Sequence, residues 1–277
     1  MSTTGQMIYV NVQQEKVPAL GYGTWQLTGD ACVEGVADAL AIGYRHIDTA
    51  QVYDNEAQVG EGMRRADVER DAIFLTTKVW FDRFTRDTLP PSVDESLRKL
   101  GTDYVDLLLL HWPNDDVELA ETLDAMRTVQ DQGKARHIGL SNYPPSQLRQ
   151  AQQHATIFCN QVEYHPYLSQ DALLSLARQT DYMLTAYSPI ARGRVVDDPT
   201  LTAIAHAHGK TVVQVVLRWL IQQDHVAAIP KAATAAHRRS NFDIFDFQLT
   251  DEQMGQIAAL DQGLRLAQPD WAPNWER

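Results

Sequence analysis

Four residues in the first 111 could share one piece of acid–base chemistry. Asp48 and Tyr53 lie five residues apart in GYRHIDTAQVYDNE (43–56), Lys78 follows about 30 residues later, and His111 about 30 after that. A tyrosine has a reference pKa of about 10, so at neutral pH it is a weak acid unless a cation beside it favours the phenolate. Lys78 can be that cation and lower the value by about 1 to 3 units. Asp48 can pair with Lys78 and keep the ammonium charged where burial would otherwise neutralise it. His111, neutral in such a site, can donate a hydrogen bond to a substrate oxygen and orient it. The set predicts a proton donor poised near neutral pH for a reaction that builds negative charge on oxygen, and carbonyl reduction by hydride fits. No side chain supplies hydride, so a nicotinamide or flavin must.

Something has to bring these residues together, and the surrounding pattern says what. Asp48, Lys78 and His111 each sit at the end of an apolar run. The runs are YRHIDTA, DAIFLTTKVW, YVDLLLLHW, RHIGLSNY, TIFCNQVEY, DYMLTAYSP and HVAAIPK. They are nearly continuous rather than alternating, as parallel strands covered on both faces should be. Between them lie helical stripes, such as Val33, Val36, Ala37 and Leu40, or Leu119, Leu123 and Met126. With VPALGYGTW counted first there are eight strands, which predicts a single (β/α)8 barrel over residues 1–277 rather than an open doubly wound sheet. Two short strands near 7–11 and 17–22 should precede the barrel, helices over 199–208 and 211–222 supply one more than the alternation needs, and Thr250 with Gln253 reads as a capping box opening a helix to about 260.

In such a barrel a polar residue just past a strand lies at the mouth where catalytic groups converge. Asp48, Lys78, His111, Ser141 with Asn142, Gln161, Tyr187 and Lys231 all take that position. One strand-end His or Asp is more often a hydrogen-bonded turn residue. Seven strands delivering polar groups to one face mark a site.

Composition narrows the partners. The net charge of −12 argues against nucleic acid or an acidic membrane, which demand clustered Lys and Arg, so an anionic ligand must find a local basic patch. No run approaches the roughly 18 apolar residues of a membrane helix, and MSTTGQMIYV lacks the basic and apolar regions of a signal peptide, so a cytoplasmic protein is expected. Cys32 and Cys159 are too few for a disulfide framework or a cysteine metal site, and no metal is expected.

On these residues the sequence resembles the aldo-keto reductase family over essentially its whole length. GYRHIDTAQVYDNEAQVG is similar to the family's first signature, RHIGLSNY to its second and IPKAATAAHRRSN to a degenerate form of its third. The resemblance implies a catalytic tetrad of Asp48, Tyr53, Lys78 and His111. A histidine at 111, where relatives that reduce steroid double bonds have glutamate, implies reduction of C=O rather than C=C. GYGTW provides only Gly21 and Gly23, so the Rossmann fingerprint is absent. The resemblance implies instead NADPH across the barrel mouth, with Ser141, Asn142 and Gln161 on the carboxamide, Tyr187 stacked on the ring, and the loop from Ser188 through Ile190 and Arg192 around the pyrophosphate. Lys231, His237 and Asn241 would meet the adenosine end. The third signature usually has Ser or Thr after its lysine and Arg five residues further on; here these are Ala232 and His237, which implies a smaller preference for NADPH over NADH. Arg238 and Arg239 point about 100° and 200° away from 237 on a helix and cannot simply replace the arginine.

The resemblance places Trp25, Trp80 and Trp112 on the substrate pocket wall. The loop after His111 is short where relatives with enclosed steroid or sugar-alcohol pockets carry a long insertion, which implies an open pocket for small aldehydes, α-dicarbonyls such as methylglyoxal, or keto-sugar acids; a monomer is expected. The final stretch DQGLRLAQPDWAPNWER has no periodicity and reads equally as a tail on the barrel wall or a rim over the mouth; WAPNWE is similar to the tail of bacterial diketogluconate reductases. A catalytically silent relative that binds NADPH is the alternative, and the intact tetrad argues against it.

Overall fold

The computed structural model describes residues 6–275. A hairpin comes first, β1 (Tyr9–Val12) against β2 (Glu15–Pro18), with Tyr9 opposite Pro18. The sequence predicts the second strand at 17–22, and the structure corrects this. Gln13 and Gln14 both take positive φ and close a two-residue turn that only Gly, Asn or Asp would have announced. Gln13 is held in place by Asp181: its backbone N–H donates to Oδ2 at 2.9 Å and its Nε2 to the carbonyl at 2.9 Å. Val10, Val12 and Val17 are buried, so the hairpin plugs the barrel's N-terminal end.

Eight parallel strands follow in sequence order around one sheet: β3 (Tyr22–Gly23), β4 (His46–Asp48), β5 (Phe74–Val79), β6 (Val105–Leu110), β7 (Ala135–Ser141), β8 (Cys159–Glu163), β9 (Met183–Tyr187) and β10 (Val226–Ala228). The first and last strands meet at a seam. Leu20 bridges Ala228 in parallel, Gly21 N–H donates to Ala228 O at 2.8 Å, and Gly23 N–H donates to Pro230 O at 3.1 Å. A Cβ on Gly23 would stand 2.7 Å from the Ile229 carbonyl oxygen, so glycine is what lets the barrel close here. All six residues of β6 are buried, the signature of a strand covered on both faces.

The helices that cover the sheet are α1 (Gly29–Ile42), α2 (Glu56–Arg65), α3 (Leu89–Leu100), α4 (Leu119–Asp131), α5 (Pro145–Gln152), α6 (Asp171–Thr180), α7 (Pro199–His208), α8 (Val212–Ile221), α9 (Ala235–Phe242) and α10 (Asp251–Ala258). On α1 the stripe is Cys32, Val33, Val36, Ala39 and Leu40; Ala37 is only half-buried, because the helix is rolled slightly from the spacing's expectation. Between β9 and β10, α8 packs on β10 and α7 packs outside it, so α7 is the insertion. Thr250 and Gln253 form the capping box that opens α10, and Thr211 with Gln214 form another on α8. Caps of this kind stabilise a helix by about 1 kcal/mol each.

Candidate active site

Strand register brings the acid and the lysine together. Asp48 pairs with Thr76 on β5, and Lys78, two residues on, shares the inward face of Thr76. Lys78 Nζ donates to Asp48 Oδ1 at 2.6 Å and to the Thr49 carbonyl at 2.8 Å. Its third neighbour is the Tyr53 hydroxyl at 3.4 Å, with the ammonium 4.9 Å from the ring centre. The second carboxylate oxygen of Asp48 accepts from Gln161 Nε2 at 2.8 Å. The His111 ring meets Tyr53 edge to face at 5.6 Å and Trp80 at 5.2 Å. The four side chains nominated by type and spacing therefore converge at one end of the barrel.

Tyr53 is not on a strand, and two clamps hold its loop. It ends a single 3-10 turn, Gln51–Tyr53, followed by Asp54 at φ +52°. Upstream, Gln51 accepts from Trp80 N–H at 3.1 Å and donates to the Ser92 carbonyl at 3.1 Å, tying the turn to β5 and α3. Downstream, buried Asn55 accepts from the Thr49 hydroxyl at 2.7 Å and donates to the carbonyls of Thr24 and Leu27, each at 2.9 Å. The five-residue gap between Asp48 and Tyr53 is thus a fixed arch.

Burial dominates the electrostatics. Lys78 is pushed below its ordinary value by burial, with the Asp48 carboxylate opposing. His111 is pushed well below the imidazole range, first by burial and then by the Lys78 charge, so its ring is neutral. Tyr53 departs from the expectation drawn from spacing. Its hydroxyl is held well above the usual phenol value, by burial first and by the Asp48 carboxylate second. The ammonium is already neutralised by a carboxylate at 2.6 Å and lies farther from the phenol, so it does not overcome the cost of a buried phenolate.

Next to this group runs a polar shelf. Ser141 Oγ donates to the Gln161 carbonyl at 2.9 Å, Asn142 Nδ2 donates to the His111 carbonyl at 3.0 Å, and Tyr187 OH donates to Asn142 Oδ1 at 2.7 Å. Gln161 lies in the middle of β8, not at its end; Glu163 occupies the end. Beyond Tyr187 the loop is strained, with Ser188, Ala191 and Arg192 all at positive φ, the kind of backbone found at ligand clamps. Ile190 is half-buried in the same loop. Arg192 reaches over the Trp25 ring at 5.8 Å. Among the described residues neither Arg192 nor Lys231 makes an ion pair, although carboxylates outnumber bases in this chain. Buried Asn241 has no side-chain hydrogen-bond partner among the described residues. His237 stands exposed at the start of α9, its N–H donating to the Thr234 cap at 3.2 Å. Arg238 turns inward to Asp38 at 2.7 Å and to the carbonyls of Ala232 and Ala233. Arg239 is exposed, with Asp38 at 3.5 Å. A strained backbone loop, two unpaired cations and a shelf of amide and hydroxyl groups fit a dinucleotide.

The tail settles as a rim over the mouth. Glu163 is fully buried, and its carboxylate accepts from Leu266 N–H at 2.9 Å, Ala267 N–H at 2.8 Å and His165 Nε2 at 3.0 Å. Burial pushes the Glu163 carboxyl up, but these donors more than offset it and hold it below the usual range. From that anchor the chain crosses the opening, and Trp271 meets Trp112 at 5.0 Å, Phe81 at 5.2 Å and Trp80 at 5.7 Å. Trp80 and Trp112 therefore share one aromatic wall with the tail. Trp25 stands apart from it with Arg192.

Sequence reasoning passed over Gln51, Asn55 and Glu163, while the tail that carries Trp271 and Trp275 read equally as a rim or as wall packing. Of these three, only the glutamate had a signal, a charged residue inside an otherwise apolar run.

Comparison with known proteins agrees with this geometry. The model of the aldo/keto reductase family matches residues 19–262. The chain is 38% identical over 266 residues to the methylglyoxal reductase DkgB of Yersinia pestis, covering 94% of this chain and 99% of that one. A solved structure described as a candidate 2,5-diketo-D-gluconic acid reductase B superposes with a TM-score of 0.95 at 47% identity, covering 98% of each chain. An aldo-keto reductase of Bombyx mori, solved in complex with NADP, superposes with a TM-score of 0.88 at 34% identity, covering 98% of this chain and 97% of that one. A closed eight-stranded barrel, four convergent polar side chains at its mouth and a family match across both leave one conclusion: the chain belongs to the aldo/keto reductase family.

Proposed function

We propose that this protein reduces small aldehydes, α-dicarbonyls such as methylglyoxal, and keto-sugar acids to alcohols, with NADPH as the reductant and Tyr53 as the proton donor. The observation that carries the reading is Lys78 Nζ lying between the Asp48 carboxylate and the Tyr53 hydroxyl, with the His111 ring on the tyrosine's other edge. A bound reduced nicotinamide supplies the hydride that no side chain can.

The chain's own residues manage the oxygen. As negative charge develops there, Tyr53 OH transfers its proton to it, and the Lys78 ammonium stabilises the phenolate left behind. Asp48 keeps that ammonium charged. The raised phenol pKa means the acid is fully protonated, and so available, at neutral pH. Neutral His111 has its Nδ1 buried without a hydrogen-bond partner among the described residues. A buried N–H without an acceptor is the costlier choice, so the proton belongs on Nε2, which becomes the donor to the carbonyl oxygen.

Ser141, Asn142 and Gln161 would hold the carboxamide, Tyr187 the ring, Ser188, Ile190 and Arg192 the pyrophosphate, and Lys231, His237 and Asn241 the adenosine end. The name of the Bombyx mori structure, which holds NADP, supports this cofactor. Unpaired Lys231 supports a preference for the 2′-phosphate, and Ala232 with His237 keeps the preference modest. The name of the Yersinia pestis relative supports methylglyoxal among the substrates. We propose that it acts as a cytoplasmic monomer on a small molecule; no helix among the described residues is long and apolar enough to cross a membrane.

Tyr53→Phe tests the reading. It removes the proton and keeps the ring, so kcat for methylglyoxal should fall by about 10² to 10⁴ while NADPH still quenches tryptophan fluorescence. Near-normal reduction by this variant would sink the assignment.

A further inference from the structure

The tail carries a cation that the reaction above leaves unused. Arg265 follows Leu264, whose N–H donates to the Tyr167 carbonyl at 2.9 Å, and precedes Leu266, whose N–H donates to Glu163. The backbone on both sides is therefore pinned. The guanidinium lies 3.7 Å from the centre of the Trp275 ring, and Trp275 meets Trp112 at 6.3 Å, one residue from His111. Burial lowers the arginine's pKa, and the Tyr187 hydroxyl and Glu163 carboxylate oppose it.

Arg265 nevertheless makes no ion pair and no hydrogen bond among the described residues. Both oxygens of Glu163 are occupied by His165 and by the N–H groups of Leu266 and Ala267. Arg265 Nη1 is buried without a partner, and so is Trp275 Nε1 in the ring stacked against it. Two buried donors side by side, one of them charged, are costly unless an acceptor completes them. The chain has 36 acidic residues against 24 basic ones, yet no acid among the described residues forms an ion pair or a hydrogen bond with this guanidinium.

We propose that Arg265, with the Trp275 indole N–H beside it, binds a carboxylate on the substrate, so that the enzyme prefers carbonyl compounds carrying a carboxylate over neutral ones of the same shape. This rests on the carbonyl-reductase reading and names the substrate class within it. The planar fork of an arginine matches a carboxylate, and stacking on Trp275 fixes its plane. A chain of net charge −12 repels anions in general and needs a local cation to accept one. The proposed function would give the cofactor's phosphates other partners: Arg192, which follows β9 and lies over Trp25, and Lys231, which follows β10, whereas Arg265 joins the wall built on Trp112 and Trp271.

The test compares 4-carboxybenzaldehyde with its neutral methyl ester, in wild type, Arg265→Met and Arg265→Lys, at fixed NADPH. Wild type should favour the acid. In Arg265→Met the acid-to-ester ratio of kcat/KM should fall roughly 10- to 100-fold, mostly through KM for the acid, with NADPH affinity by fluorescence quenching unchanged. Arg265→Lys keeps the charge without the fork, and its ratio should lie between the two. An equal loss on both substrates would assign Arg265 to the wall alone, and weaker NADPH binding with the ratio intact would assign it to the cofactor; either overturns the proposal. If Arg265→Met does not fold, Arg265→Lys decides, and a ratio within about 2-fold of wild type overturns the proposal. Wild type reducing acid and ester equally would overturn the carboxylate site alone, whereas wild type reducing neither would remove the carbonyl-reductase reading with it.

Discussion

Replacing Asp48 by Asn keeps the shape of the side chain and removes the one charge that balances Lys78. The lysine is fully buried, and its remaining partners are the Thr49 carbonyl at 2.8 Å and the Tyr53 hydroxyl at 3.4 Å. Breaking a buried ion pair on one side costs about 3–5 kcal/mol, because the survivor is an uncompensated charge. The lysine has an escape, which sets a ceiling: it can release its proton. Starting from the ordinary value of 10.5, deprotonation at pH 7 costs about 4.8 kcal/mol, and at pH 9 about 2.0 kcal/mol, at roughly 1.36 kcal/mol per unit. The charge penalty of Asp48→Asn is therefore about 3–5 kcal/mol at pH 7 and at most about 2 kcal/mol at pH 9. The sign follows from linkage. Burial lowers the native-state pKa of Lys78, and without Asp48 nothing comparable opposes it, so the native state binds fewer protons than the unfolded chain and stability rises with pH up to the unfolded value. Urea unfolding of wild type and variant, followed by far-UV circular dichroism at both pH values, gives the difference directly. A loss below about 1 kcal/mol at pH 7, or one no smaller at pH 9, would refute the claim that this pair exists to keep a buried ammonium charged.

Two further predictions concern catalysis. Because burial holds His111 well below 6.5 and Tyr53 well above 10, kcat for carbonyl reduction should be flat between about pH 6 and pH 9. An alkaline fall with an apparent pKa near about 8 would show that Lys78 acidifies Tyr53 after all. Lys231→Met should lower kcat/KM for NADPH by about 10-fold and leave NADH within about 3-fold, the loss of one charge-assisted contact to a phosphate. Equal values for the two cofactors in wild type would show that Lys231 alone does not select NADPH.

The barrel and its four central polar residues were legible because both are written locally. A strand covered on both faces must be a continuous apolar run, and a polar residue that ends it, such as Asp48 or His111, is conspicuous. The Thr250 and Gln253 capping box is equally local, three residues apart, and it stands where the pattern placed it. What escaped depends on distance or on depth. The Gln13–Gln14 turn uses residues that carry no turn signal, and it holds because Asp181, 168 positions away, pins it. The acidity of Tyr53 was misjudged because spacing reveals a neighbouring cation but not how little water reaches the phenol. The tail has no periodicity, and its destination is fixed by a buried carboxylate 103 residues earlier.

That buried carboxylate divides the labour of the chain. The four central polar residues, the shelf and the barrel seam are complete by residue 231, whereas one wall of the opening is supplied by Arg265, Trp271 and Trp275, from a segment that attaches through backbone amides to Tyr167 and Glu163 and through a handful of rings. Backbone amides donate to Glu163 whatever side chains flank them. A different sequence over the last dozen residues could hang from the same hook and present a different wall to the same proton donor. Under the proposed function, reactivity and taste would be stored in separate places, and the second could be rewritten without disturbing the first.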